Sequence, residues 1–450
     1  MMGRRFFLSI SLAAGASACA TSGGVPSPEQ VGERVAKHTG QPVRTTAGEP
    51  ELPSGVSADD GLTQDEAVAI ALWNSPAFQM TLADLGIARA DVAQAGLLRN
   101  PVLALLLPWG PKQLEATIRW PIDAIWQRPR RLAAARAGAE AVAERLVAGG
   151  VALVTDTRLA HADLAAAQAR VGVADETAAL ARRVSEIVKR RFDAGDISQL
   201  EAESAAVDAR RAEQATARAQ LDIALAAGRL HELMGIGGTV PRSAIRAVDS
   251  PSTVVAGDAA GCTDLAGLEK DTLASRPEVR AAELELEAAG RRLGWERSRI
   301  FTLVGVLDAN AKGTQGFEAG PGFDTDLGLI DRNQAGVMRA NAELARGRAR
   351  YVAAREQVLR EVRDAHAQFA YARASIAVWR DDIIPSLARQ MGQTERAFEA
   401  GELPLLAVLE ATRRLNESRA QALDAMIGFR RALVLLERSA GRGCAVAPQQ

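Results

Sequence analysis

Phe192-Asp193-Ala194-Gly195-Asp196-Ile197 returns downstream as Phe398-Glu399-Ala400-Gly401-Glu402-Leu403, an offset of 398 − 192 = 206 residues. The offset holds without a gap through Leu200 and Leu406, then Leu230 and Leu436, to Gly235 and Gly441. Earlier in each half, Leu72 and Pro76 match Leu273 and Pro277 at an offset of 277 − 76 = 201, so only a small insertion intervenes. Each copy is well over a hundred residues long, too large for a solenoid repeat. A duplicated half-molecule predicts pseudo-symmetric walls around a central space.

Working outward from these turns, each half opens with a helix. Thr63 followed by Glu66 is a capping box, and helical patterning runs on to about Leu98, with Asn100-Pro101 as a stop. The counterpart runs from about Leu265 to Arg299. The period then changes. Ala116, Ile118, Trp120 and Ile122 alternate with charged or polar neighbours, after a more uniformly apolar run from Val102 to Trp109. In the second half Phe301, Leu303, Leu307 and Ala309 alternate with polar residues, as do Phe317, Ala319, Phe323, Leu327 and Leu329. Strands of about ten residues with one apolar and one polar face suit a membrane β-barrel. Long helices follow, from near Arg130 to Phe192 and from near Asn333 to Phe398, each ending at a Gly turn. Ser198 and Pro404 then start return helices running to about Met234 and Ser439. On the last one Val408, Leu415, Ala422, Phe429 and Leu436 recur every seven residues, a coiled-coil seam.

The composition agrees with long helices: only 4% of residues are aromatic, and Ala, Glu and Arg abound. A net charge of −1 predicts no nucleic-acid footprint. At the N-terminus, Arg4 and Arg5 precede an apolar run from Phe6 to about Ala16, a secretory signal. The stretch Ala16-Ser17-Ala18-Cys19 resembles a bacterial lipobox, with Ala16 where Leu is usual, and implies lipidation at Cys19. The alternative is an ordinary signal cut near Ala18 or Ala20. The expected organisation is a signal peptide at 1–18, a Gly/Pro/Ser/Thr-rich tether at 19–61, repeats at 62–236 and 265–441, an inter-repeat waist segment at 237–264, and a tail at 442–450. The tether shows no sustained periodicity and is expected to be poorly ordered or draped on the body.

The order of helix, hairpin, long helix, turn and helix, twice over, resembles the TolC family of bacterial outer-membrane efflux proteins. The residues carrying the resemblance are Ala71-Leu72-Trp73-Asn74-Ser75-Pro76, Ala274-Ser275-Arg276-Pro277-Glu278-Val279, Leu329-Ile330-Asp331-Arg332-Asn333-Gln334 and the two Gly turns. The Arg276-Pro277 turn and the stretch from Asp331 to Gln334 look most like the CzcC-like heavy-metal branch. The fold class expected is mainly α with membrane β, internally duplicated. The family implies a homotrimer with a twelve-stranded β-barrel on a periplasmic α-helical barrel, four strands per chain. Four strands alone cannot close a barrel, and an open edge in lipid leaves backbone groups unsatisfied. The expected function is a passive outer-membrane exit channel of a tripartite efflux system, lipid-anchored and reaching into the periplasm. The outlet of a type I secretion system shares the fold, and a periplasmic coiled-coil scaffold or adaptor is the reading from another class.

The resemblance also places function at the turns. Gly195, Asp196, Ile197 and Ser198, with Gly401, Glu402, Leu403 and Pro404, match turns that meet the hairpin tips of periplasmic adaptor proteins, which join the channel to an inner-membrane transporter. Glu201 and Glu410 stand where the family carries aperture acids, although Ala407 occupies a position that often holds one. The plain reading of such acids is helix N-terminal charge. No phosphate loop, nucleophile elbow, zinc-spaced cysteine pair or HExxH stretch occurs, so neither cofactor, metal site nor enzymatic activity is expected. His161 and Asp163, like Asp364 and His366, are spaced onto different helix faces. If Cys19 carries lipid, Cys262 and Cys444 remain, either as a disulfide across the waist or as two thiols.

Overall fold

The computed structural model describes residues 24–46, 48–57, 60–107, 113–238, 240–241, 245–248, 264–299, 301–311 and 316–441. The signal peptide, Cys19, the Cys262–Cys444 pairing and the tail lie outside them. The elements are α1 (Pro28–Thr39), α2 (Gln64–Asn74), α3 (Pro76–Gly96), β1 (Val102–Leu106), β2 (Glu115–Pro121), α4 (Asp123–Asp193), α5 (Gln199–Met234), α6 (Leu265–Ser275), α7 (Pro277–Arg297), β3 (Leu303–Ala311), β4 (Phe317–Thr325), α8 (Gln334–Val378), α9 (Ile384–Glu399) and α10 (Leu405–Ala440). In three helix pairs the duplication holds to the residue: α2 and α6 are both 11 residues long, α3 and α7 both 21, and α5 and α10 both 36.

Several boundaries differ from the sequence expectation. Each opening helix is two helices, because Ser75 and Arg276 precede proline and adopt ψ of 118° and 123°. Helix α4 begins at Asp123 rather than near Arg130 and carries Pro129 inside it, running 71 residues, about 107 Å at the usual rise. The second long helix is not continuous. A π-helical turn, Trp379–Ile383, separates α8 from α9, just before Pro385. Proline cannot donate to the preceding turn, and the wider π turn redistributes the freed carbonyls. Within the segment read as a tether, Ser27 and Gln30 form a capping box and start α1, which packs on the body through Val31 and Val35. The first strand ends at Leu106, while Phe301, Leu327 and Leu329 fall outside β3 and β4.

The chain divides into two compact units. One comprises Ile87–Ala139 and Ala288–Ala342, together with Gly24 and Val25. Its centre is a single antiparallel sheet in the order β1-β2-β3-β4. The register pairs Thr117 with Asp308 and Ile118 with Leu307, and Gly305 with Phe323. Beneath the strands Val25, Val92 and Ala139 form a small cluster with Leu132. Asn333, at φ 59°, donates to the carbonyl and carboxylate of Glu296, both at 2.8 Å, tying the start of α8 to the end of α7.

The other unit comprises the described residues of Pro26–Gly86, Glu140–Glu287 and 343–441. Its larger core belongs to the first repeat, where Leu62, Ile70, Leu72, Leu85, Leu146, Leu164, Leu230 and Met234 are fully buried. Leu62 pairs with Ala247 of the inter-repeat segment, and His161 hydrogen-bonds the Leu62 carbonyl at 2.8 Å. His231 does the same for Val240 at 2.8 Å. Both buried histidines therefore serve the backbone. The second repeat has a smaller core of Leu268, Val362, Phe369, Phe429 and Leu436, with the two phenyl centroids 5.5 Å apart. The heptad seam is seen here: Leu415, Phe429 and Leu436 are buried, Val408 and Ala422 partly so.

Candidate functional site

The candidate residues fall in two places, one in each unit. In the sheet unit the register sorts side chains by face. Directly paired residues share a face and neighbours along a strand alternate. Leu103, Leu105, Ile118, Trp120, Leu307, Phe317 and Phe323 therefore fall on one face, all of them exposed. Glu115, Thr117, Arg119, Asp308, Asn310, Glu318 and Asp324 fall on the other, together with the apolar Val102, Leu106, Val304 and Val306. On that polar face Thr117 Oγ1 donates to Asp308 Oδ1 at 2.7 Å and Asn310 donates to its other oxygen at 2.9 Å. Arg119 reaches Asp324 two strands away at 3.6 Å. Ile118, Trp120 and Phe323, each on an apolar strand face in the sequence reading, are thus brought together on one face of the sheet. Leu327 lies beyond the strand. Among the described residues, β1 and β4 each have one neighbour, so both outer edges are unpaired within the chain.

In the helical unit the two Gly turns are superimposable in their hydrogen bonding. Gly195 N–H donates to Phe192 O at 2.8 Å and Asp196 N–H to Arg191 O at 2.9 Å. At the second turn Gly401 donates to Phe398 O at 2.9 Å and Glu402 to Ala397 O at 2.8 Å. This is the Schellman pattern, which needs a left-handed residue, and Gly195 and Gly401 have φ of 80° and 77°. Asp196, Ser198, Glu402, Leu403 and Pro404 are exposed and Ile197 is half-buried.

The structure gives the two acids different surroundings from one another. Glu201 closes a capping box, accepting from Ser198 N–H at 2.8 Å and Ser198 Oγ at 2.9 Å. Those two bonds, the backbone one first, hold its pKa below the usual carboxylate value. Glu410 is exposed and accepts from Arg414 at 3.0 Å, with Arg413 4.0 Å away. Both acids nevertheless line one open cleft of about 510 Å³, with Leu180, Asp208 and Arg413. Asp208 was not singled out in the sequence, where an acid about two turns further along a charged helix looks like any solvated residue.

A sheet with one greasy and one polar face, and helices far longer than a globular domain needs, define the class: an outer-membrane channel of the TolC-like kind, with a β-barrel and a helical tunnel. The comparisons narrow this. The family model described as "Outer membrane efflux protein" matches residues 67–236 and 268–442, and the chain belongs to that family. The two matched stretches are the two repeats. The cobalt-zinc-cadmium resistance protein CzcC of Cupriavidus metallidurans is 25% identical over 386 residues, 85% of this chain and 90% of that protein. Among solved structures, CusC matches with a TM-score of 0.65 at 19% identity, covering 90% of this chain and 98% of that one. The outer membrane protein VceC from Vibrio cholerae matches with a TM-score of 0.68 at 17% identity, covering 85% and 97%. The family consists of efflux channels, transport proteins rather than enzymes.

Proposed function

We propose that three copies of this chain close their sheets into a twelve-stranded barrel and act as the passive exit duct of a tripartite efflux pump. The observation that carries the reading is the four-stranded sheet with sorted faces and two unpaired edges. In hydrocarbon each unsatisfied backbone group costs several kcal/mol, so the edges of β1 and β4 need partners, and copies of the same chain supply them. The polar face of Thr117, Asp308 and Asp324 then lines water. Energy comes from an inner-membrane transporter, engaged through a periplasmic adaptor at Gly195–Ser198 and Gly401–Pro404. Lipidation at Cys19 would anchor the mature chain to the outer membrane. The resemblance to a protein named for cobalt, zinc and cadmium resistance supports metal ions as cargo.

The test is a pair of substitutions on adjacent residues. Ile118→Arg, near the middle of β2, is expected to cost roughly 2–4 kcal/mol of barrel stability, read as loss of heat-resistant oligomer from outer-membrane fractions. Thr117→Arg faces the lumen and should leave the oligomer intact. Equal tolerance at both positions would sink the barrel.

A further inference from the structure

The sheet unit has a second surface that the channel reading does not use. Val102 at the start of β1 pairs with Arg119 near the end of β2, and Leu303 at the start of β3 pairs with Thr325 at the end of β4. All four strands therefore meet their helices at one end. Just beyond that end Leu97 and Leu98 follow α3, and Ile125 and Trp126 sit in the first turn of α4, all more than 40% exposed. On the second-repeat side Leu329 and Ile330 follow the end of β4, Ile330 at 92% exposure. Large apolar side chains left exposed around one end of a sheet mark an interaction surface.

Beside Leu97 stand three arginines. Arg128 Nε donates to Gly96 O at 2.6 Å, and Arg131 donates to Ala95 O at 2.9 Å and Leu97 O at 2.6 Å. These bonds cap the C-terminal carbonyls of α3 and fix the two guanidinium groups in place. Arg99 is exposed two residues further on. Among the described residues none of the three has a carboxylate partner. The groups that act on Arg131 are burial first, then Arg99 and Arg128, and all of them push its pKa down. Like charges are thus gathered with no carboxylate beside them among the described residues. The second repeat differs: there Arg299 pairs with Glu296 at 3.2 Å.

We propose that Arg99, Arg128 and Arg131, with Leu97, Leu98, Ile125 and Trp126, form a binding site for an anionic phospholipid at the base of the barrel. The site rests on the reading of the sheet as a membrane barrel, since only that reading puts its rim at the lipid headgroups. The phosphate meets the guanidinium donors left over from the α3 carbonyls, and each Arg has five N–H groups to share. The acyl chains run along the apolar face of the sheet, continuous with Leu103 and Ile118. A phosphate anion without chains would satisfy the arginines and leave the leucines and Trp126 uncovered, so the occupant is lipid.

The experiment uses the full-length chain reconstituted in vesicles that mix phosphatidylcholine and phosphatidylglycerol, followed by native mass spectrometry of the lipids it retains. Phosphatidylglycerol should be retained in clear preference. Arg99→Gln and Arg128→Gln should each lower that preference roughly fivefold, the usual worth of one basic residue at an anionic surface. Arg99 makes no hydrogen bond that the fold depends on, so its variant keeps the test free of misfolding. No preference in the wild type, or a preference untouched by Arg99→Gln and Arg128→Gln, overturns the site. Inorganic phosphate that displaces the bound lipid, or stabilises the detergent-solubilised chain as well as the lipid does, overturns the lipid assignment. Pure phosphatidylcholine vesicles separate the two readings. A chain that inserts into them but shows no preference in the mixed vesicles loses only the lipid site, whereas a chain that fails to insert loses the barrel as well.

Discussion

In the first repeat the break between α2 and α3 is closed by contact. Gly235, at the end of α5, lies so near that a Cβ on it would stand 2.5 Å from the carbonyl oxygen of Asn74. Asn74 in turn holds Glu51 of the preceding segment by two hydrogen bonds, at 2.9 and 3.0 Å. In the second repeat the break between α6 and α7 is closed by charge. Arg276, with a side chain only 2% exposed, binds both oxygens of Glu278 at 2.9 Å and Glu361 at 3.0 Å, and donates to Arg438 O at 3.1 Å. Burial pulls the Arg276 pKa down, but the bonds and charges of Glu278 and Glu361 more than offset it, and the net shift is upward. One frame has therefore been fastened in two ways. The repeat with the larger apolar core uses packing at its joint, and the repeat with the smaller core uses an ionic knot.

The largest expected effect tests that contrast at equivalent positions. Arg276→Ala leaves Glu278 and Glu361 without their partner and strips the cap from the Arg438 carbonyl. The loss should be roughly 3 kcal/mol, near the low end for a broken buried ion pair because both acids keep some contact with water. Ser75→Ala, at the matching place in the first repeat, should stay within about 0.5 kcal/mol, since its joint does not depend on that side chain. Chemical denaturation of the solubilised chain would compare them, and comparable losses would remove the distinction between packed and charged joints.

A smaller difference is expected at the ends of the return helices. Gly235 and Gly441 have φ of 66° and 65°, so alanine at either position carries the left-handed penalty of about 1–2 kcal/mol. Only Gly235 adds a collision with backbone; at Gly441 the new Cβ meets the Ser275 hydroxyl at 3.2 Å, which can turn aside. Gly235→Ala should therefore exceed Gly441→Ala by about 1 kcal/mol or more in the same measurement. If the two match, the close approach at Asn74 is not what the first repeat relies on.

At the Gly turns the repeats should stop differing. Neither Gly195 nor Gly401 has an atom within 4 Å of an added Cβ, so valine there suffers only from its positive φ, about 1–2 kcal/mol. Gly195→Val with Gly401→Val should distort both Schellman turns while the oligomer survives on native gels, and crosslinking to the adaptor should be lost. Undiminished crosslinking would take the docking site away from the turns.

The sequence made these turns legible because a glycine at a helix end reports its dihedral directly, and two of them at one offset reveal the duplication. The alternation of Ala116, Ile118 and Trp120 was equally direct, since a strand's faces are written at period two. The breaks at Ser75 and Arg276 were signalled by Pro76 and Pro277, yet an unbroken run of small and apolar residues on either side reads as one helix. Helix α1 had its capping box in Ser27 and Gln30, but a short helix inside a Gly/Pro-rich stretch depends on Val31 and Val35 finding a core. The ionic knot was beyond local reading, because Arg276 and Glu361 are 85 residues apart. The π turn at Trp379 had only Pro385 to announce it.

The smallest effect concerns how the two return helices begin. Helix α5 starts with the Ser198–Glu201 box, whereas α10 starts at Pro404, which has no side-chain cap, and Ala407 replaces the acid. The folded pKa of Glu201 lies below its ordinary value of 4.5, held there by its hydrogen bonds from Ser198. A depressed carboxylate pKa means the unfolded chain binds the proton more readily, so the box's contribution is complete above about pH 4.5 and fades as the pH falls through the lower folded-state value. The exposed carboxylate makes this a local effect on the first turn of α5 rather than on global stability. Hydrogen-exchange protection factors, corrected for intrinsic exchange, should fall on acidification at residues 200–203 and stay level at 406–409. Glu201→Gln should flatten the α5 profile, because an amide still accepts from Ser198 without titrating. A parallel fall at both helix starts would mean that the capping box does not distinguish the repeats and that their ends fray for a shared reason.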